Sequence, residues 1–140
     1  MVSSTLIKWK KILFRGLRYV FDDYTSSYDF LLEKANMCRI EITREKAIIT
    51  EMYKCLNGLG PQYMSEIFQQ TNAVSRRGPS FNVPRVNSTT KGLHSLRYQG
   101  PRLWNALPLN VKSSKTLNSL KNNLNAYKGA PCKCAACKKL

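Results

Sequence analysis

Cys132, Cys134 and Cys137 stand in C-x-C-x-x-C spacing near the end of this 140-residue chain. Thiolates that close can converge on one Zn²⁺ at about 2.3 Å. Lys133, Lys138 and Lys139 beside them favour the deprotonated, metal-binding form. A closed structural site takes four ligands, however, and the tail holds three. The fourth would have to come from His94, from Cys38 or Cys55, or from a second chain. No cofactor is therefore expected outright, and zinc on Cys132, Cys134 and Cys137 is the one candidate. A disulfide is disfavoured by the odd count of five cysteines and by the lack of a secretion signal.

Phe21-Asp22-Asp23 places two carboxylates side by side after an aromatic residue. Polymerase palms use such a pair to hold two Mg²⁺ ions about 4 Å apart. Here the pair follows an amphipathic helical pattern instead of lying between two β-branched runs, so a helix-ending or capping role is expected. His94, the sole histidine, has no Ser or Cys nucleophile placed by a motif, and no Gly-rich phosphate loop occurs. The expectation is a chain that is not an enzyme.

The third chemistry is charge. The net charge is +15, and all eight acids lie between Asp22 and Glu66. Residues 67–140 carry thirteen Lys or Arg and no acid. One-sided charge of this kind calls for a polyanion, and nucleic acid is the commonest one for a basic chain. Arg76, Arg77, Arg85, Arg97, Arg102, Lys112 and Lys121 are the expected RNA- and DNA-binding residues, reading phosphate without sequence preference. A small-molecule substrate is not expected. The competing readings are a solvated basic surface, or a fragment that binds protein or serves as a scaffold.

These residues need elements to hold them. Residues 1–21 read as a basic amphipathic helix, with Leu6, Trp9, Leu13, Leu17 and Val20 on one face and Lys8, Lys11, Arg15 and Arg18 on the other. Helices of this kind lie on membranes, bind calmodulin-like grooves, act as targeting peptides, or pack on a core with the basic side wetted; the last is the usual case. Arg15 and Arg18 interrupt any secretory h-region, and no apolar run approaches the length of a membrane span.

Ser26-Ser27-Tyr28-Asp29 has capping-box spacing for a short helix to about Ala35, which Asn36 can close. A longer helix is expected from about Arg39 to Asn57, with Ile42, Ile48, Ile49, Met52, Cys55 and Leu56 on one arc and Gly58 as cap. Pro61 opens another, whose Tyr63, Met64, Ile67 and Phe68 are apolar. Residues 81–86 alternate apolar with polar, but Pro84 confines any strand to an edge.

Gly100-Pro101 is a turn signal, after which Arg102 to Leu107 should form a short helix ended before Pro108. Trp104 at that joint reads as a hydrophobic anchor, with a ligand-stacking ring as the alternative. A last helix should run from about Lys115 to Tyr127, with Leu117, Leu120, Leu124 and Tyr127 on one stripe, Ser113 or Ser114 as cap, and three asparagines and two lysines on the wet side.

The expected fold is mainly α: a small helical bundle with a short irregular or edge-strand segment and a flexible basic Cys-containing tail. The expected parts are a helical subdomain over 1–69, a basic loop or edge strand over 70–92, a Trp-anchored turn and terminal helix over 93–128, and the tail over 129–140. Gly129-Ala130-Pro131 should detach that tail and leave it frayed.

The run RYQGPRLWNALPLNVKSSKTLNSLKNNL, residues 97–124, closely resembles the segment near the C-terminus of reverse transcriptases from non-LTR (LINE-type, jockey- or CR1-like) retrotransposons of animals. DDYTSSYDFLLEKANM, residues 22–37, and CLNGLGPQYMSEIF, residues 55–68, are similar to the same family's post-polymerase region, in the same order. The Trp104-Asn105-x-Leu107-Pro108 element is the most specific of these matches. The resemblance implies a C-terminal, post-palm fragment of an RNA-directed DNA polymerase encoded by a transposable element. It implies family sequence upstream of the first helix, Cys clusters at the end of many relatives, and a nuclear or cytoplasmic location without secretion. A degenerate element copy with no present function would carry the same residues.

Overall fold

The computed structural model describes residues 4–71, 76, 78–88 and 91–129, with the side chains of 4–6 left out. Arg77 and the zinc candidates Cys132, Cys134 and Cys137 lie outside the described residues. The described chain is mainly helical, with seven helices and no strand among the described residues. It divides into two compact units, the first ending at Thr43 and the second beginning at Arg44.

In the first unit, α1 (Ser4–Phe21) and α2 (Tyr28–Lys34) share a small core. Leu17, Leu31 and Leu32 are buried, with Leu13, Phe14, Phe21, Tyr28 and Ala35 packed around them. Phe14 and Tyr28 meet edge to face with centroids 5.5 Å apart. Arg18 lies over the Phe14 ring at 4.0 Å and Lys34 over Phe21 at 4.9 Å, so long cationic side chains close the edges of a core too small to close itself.

The inward face of α1 differs from the expected one. Leu13 and Leu17 point to α2, but Trp9 and Val20 are exposed, while Phe14 and Phe21 take the inner positions. The reason is angular: a single packed helix covers one arc of α1, here centred between Leu17 and Phe14, and Trp9 and Val20 lie to one side of it. Arg18, expected on the wet side, is drawn onto Phe14.

The corner between the helices is built by the acid pair. Asp22 ends α1 at φ 49°, and the Asp23 carboxylate accepts from the backbone N–H groups of Thr25 and Ser26 at 3.1 and 3.0 Å and from the Ser26 hydroxyl at 2.6 Å. Those hydrogen bonds, the Ser26 hydroxyl first, hold the Asp23 carboxyl down at about 2. Ser26 is thereby taken, and Ser27 is the residue that caps α2, accepting from the Phe30 N–H at 3.4 Å.

The second unit is built on α3 (Ile40–Leu56), which begins just before the boundary. It ends as its glycine requires: Gly58 adopts φ 65°, and the Leu59 N–H donates back to the Lys54 carbonyl at 2.9 Å, closing the helix end. α4 (Gln62–Ile67), α5 (Leu96–Ala106), α6 (Leu109–Lys112) and α7 (Leu117–Asn125) complete it. Their shared core holds Ile49, Met52, Tyr53, Phe68, Phe81, Leu103, Trp104, Leu107, Val111, Leu120 and Leu124. Thr116, not Ser113 or Ser114, caps α7, accepting from the Ser119 N–H at 3.2 Å. The expected Leu117, Leu120, Leu124 and Tyr127 stripe does face this core.

The expected edge strand is reduced to one antiparallel bridge between Gln70 and Phe81. The turn expected at Gly100-Pro101 is also corrected, because α5 runs straight through both residues. Gly100 serves a close approach: a Cβ there would stand 2.6 Å from Met52 Sδ and 3.4 Å from the Phe68 ring. Pro101 lies in the middle of α5, where its missing N–H forfeits the helical bond to the Arg97 carbonyl four residues back. Contact between α5 and α3 outweighs the local turn signal.

Candidate nucleic-acid interface

Trp104 and Asn105 work as a latch on the segment that precedes α5. Trp104 is 0% exposed, and its ring meets Phe81 edge to face at 6.2 Å, while Phe68 meets Phe81 in the same way at 6.3 Å. Its Nε1–H donates to the Pro79 carbonyl at 3.1 Å. The next residue binds both backbone groups of Phe81: Asn105 Oδ1 accepts from its N–H at 3.0 Å, and Nδ2 donates to its C=O at 2.9 Å. One side-chain amide thus stands in for a neighbouring strand, which is why residue 81 is held without a sheet. A Trp so enclosed is an anchor, and base stacking on it is closed off.

This latch ties the basic strap of residues 78–88 to α5, and with it the position of the cations. Arg85 on the strap is exposed, as are Arg76 before it and Lys91 after it. Arg97 and Arg102 project from α5 and are exposed. Among the described residues Arg97 makes no ion pair, whereas Arg102 donates through Nε and a terminal nitrogen to Gln99 Oε1 at 3.1 and 2.9 Å. That second contact orients the guanidinium without neutralising it. Gln99 in turn donates to the Leu93 carbonyl, so the Arg102 fork is braced by the chain entering α5.

Lys112 is the residue placed differently from expectation. It is 6% exposed, and its ammonium donates to the Asn105 carbonyl at 3.3 Å. It braces the residue that forms the latch and does not face solvent. A burial of this kind is set by tertiary approach, and the local pattern of Leu109-Asn110-Val111-Lys112 carries no sign of it.

Lys121 is exposed on α7, and the helix offers more than this one cation. Asn118, Lys121, Asn122 and Asn125 are all exposed and fall at i, i+3, i+4 and i+7, on one side of the helix. Lys115 and Lys128 stand exposed beyond its two ends. The wet side of three asparagines and two lysines was visible in the sequence, but Lys128 and Lys91 were not singled out there. The signal for them was the absence of any acid after Glu66.

The acids of this unit lie on α3 and α4. Lys54 pairs with Glu51 at 2.8 Å. Tyr127 donates to Glu45 Oε2 at 2.9 Å, and burial, with Glu45 next, pushes its phenol far above the usual range. Cys55 is half-buried, and burial pushes its thiol up, which opposes the thiolate a metal needs. His94 offers its backbone carbonyl to Arg44 at 3.5 Å. Among the described residues, no group of three or more His, Cys, Asp or Glu could hold a metal ion. Nor is any helix among them long and apolar enough to cross a membrane.

No family model matches this chain, and neither a curated protein nor a solved structure matches it.

Proposed function

We propose that the chain is a non-catalytic RNA- and DNA-binding fragment, resembling the post-palm part of a LINE-type reverse transcriptase, that holds phosphate backbones on the basic surface of its second unit. One observation carries this reading. Arg76, Arg85, Arg97 and Lys121 are exposed, and no carboxylate follows Glu66 in the chain to neutralise them. Two ion pairs, Arg39 with Asp29 and Lys54 with Glu51, lie earlier in the chain. Asn and Ser side chains around the cations suit contact with phosphate and sugar, which positions a strand without reading its sequence.

The test is binding of labelled single-stranded RNA, read by fluorescence anisotropy. Near 0.1 M salt each phosphate contact contributes about fivefold in affinity. Replacing Arg76, Arg85, Arg97 and Lys121 together by Gln should weaken binding several hundredfold by the same rule, while Lys54→Gln, which removes an already paired charge, should change it about twofold or less. Equal binding by the four-Gln protein and the parent would rule the proposal out.

A further inference from the structure

Around the axis of α1 three arcs carry three kinds of side chain. One, with Leu13, Phe14, Leu17 and Phe21, packs on α2. A second holds Lys8, Lys11 and Arg15, all exposed. The third holds Trp9, Ile12, Gly16, Tyr19 and Val20 within about 100° at helical spacing. Among the described residues it stands open: Trp9 is 55% exposed, Ile12 59%, Tyr19 82% and Val20 77%, and beyond the helix's own backbone nothing lies within 4 Å of where a Gly16 Cβ would stand. Four large apolar side chains in one exposed row on one helix are more than the scattered surface residues that need no explanation.

The chemistry of the row and its border selects the occupant. Trp9 and Tyr19 stand about 15 Å apart along the helix, and their rings combine an apolar body with a polar edge, the character of side chains at a lipid-water boundary. Ile12 and Val20 between and beside them are aliphatic, which suits acyl chains and gives a nucleic-acid base nothing to stack on. Lys8, Lys11 and Arg15 border the row, and α1 contains no acid. A second copy of the same face would set these cations against themselves, whereas anionic headgroups would satisfy them.

We propose that α1 is a peripheral anchor for anionic lipid surfaces, lying in the interface plane with Trp9, Ile12, Tyr19 and Val20 in the headgroup-acyl boundary and Lys8, Lys11 and Arg15 on lipid phosphates or carboxylates. The row shares no residue with the nucleic-acid surface proposed above, and neither proposal depends on the other. α2 covers the packed arc and leaves the anchor arc free, so docking requires no opening of the first unit's core.

The experiment uses the full chain with phosphatidylcholine vesicles, with and without phosphatidylserine, read by tryptophan emission and co-sedimentation. The chain has two tryptophans, and Trp104 is already buried, so a blue shift reports Trp9. Phosphatidylserine vesicles should shift the emission and sediment the protein, and pure phosphatidylcholine should do so far less. Ile12→Asp with Val20→Asp should abolish sedimentation with the far-ultraviolet dichroism and melting unchanged, because both side chains are exposed. Changing Lys8, Lys11 and Arg15 to Gln should weaken binding about fivefold per residue. Absence of a shift, undiminished sedimentation of the double-Asp protein, or quenching of Trp9 by single-stranded RNA in place of the vesicle shift would each overturn the proposal. The last result would assign the row to nucleic acid.

Discussion

Asn105→Ala isolates the latch at the centre of the second unit. The substitution strips the Phe81 N–H and C=O of partners at 3.0 and 2.9 Å in one step. Phe81 is 3% exposed and its ring is packed against Phe68 and Trp104, so its backbone cannot turn to water without withdrawing the ring. An orphaned buried polar group costs about 1–3 kcal/mol. Asn105 itself is only half-buried, and water will reach part of the space it leaves, which places the pair at about 2–4 kcal/mol. For a unit of this size the melting temperature should fall by about 10–25 °C. Asn105→Asp sharpens the test, since a carboxylate still accepts from Phe81 N–H but opposes its carbonyl oxygen. Its stability should partly recover on acidification, when a protonated carboxyl can donate again, whereas the Ala variant gains nothing from this route. Thermal melts followed by dichroism give the magnitude, and amide exchange at Phe81 gives the location. A fall of under about 3 °C for Asn105→Ala, with Phe81 exchange unchanged, would refute the latch.

Gly100→Ala should strain the α5-α3 contact, because its Cβ would stand 2.6 Å from Met52 Sδ; overpacking of about 1–3 kcal/mol is offset by about 1 kcal/mol of helix propensity. In a Met52→Ala background the same change should turn neutral or stabilising in urea melts, and an identical effect in both backgrounds would contradict the close approach. Asp23 has its carboxyl lowered to about 2 in the folded chain, so its contribution is present above the ordinary value of 3.8 and is lost as pH falls from there through about 2. The side-chain carboxyl resonance of Asp23 should titrate well below 3.8, and Asp23→Asn should remove that part of the acid dependence.

The helices were legible because their signals are local. Ser27, Gly58 and Thr116 act at helix ends, although the first and last lie one to three residues from the caps expected, where Asp23 claims Ser26 and α7 starts late. What could not be read locally is which partner reaches each face. Gly100-Pro101 has the composition of a turn, and only Met52 across the gap reveals that the missing Cβ is needed for contact within a helix. Trp9 and Val20 fit a core stripe, yet the arc that α2 covers is centred to one side of them. Lys112 resembles every other cation after Glu66 until the Asn105 carbonyl is brought to its ammonium. The exposed cations of the candidate interface were legible because exposure is the default for Lys and Arg, and burial is the exception that needs a structure.

The central claim is that the acid-free second half of the chain binds nucleic acid as a polycation. The direct measurement is the affinity for single-stranded RNA as a function of salt. Displacement of counterions at four phosphate contacts gives a slope of log Kobs against log salt of about −3, and further contacts make it steeper. The parent chain should show such a slope, with little difference between unrelated RNA sequences, and the protein with Arg76, Arg85, Arg97 and Lys121 changed to Gln should flatten it by about 3. A salt-independent affinity, or no binding at micromolar protein in low salt, would contradict the claim.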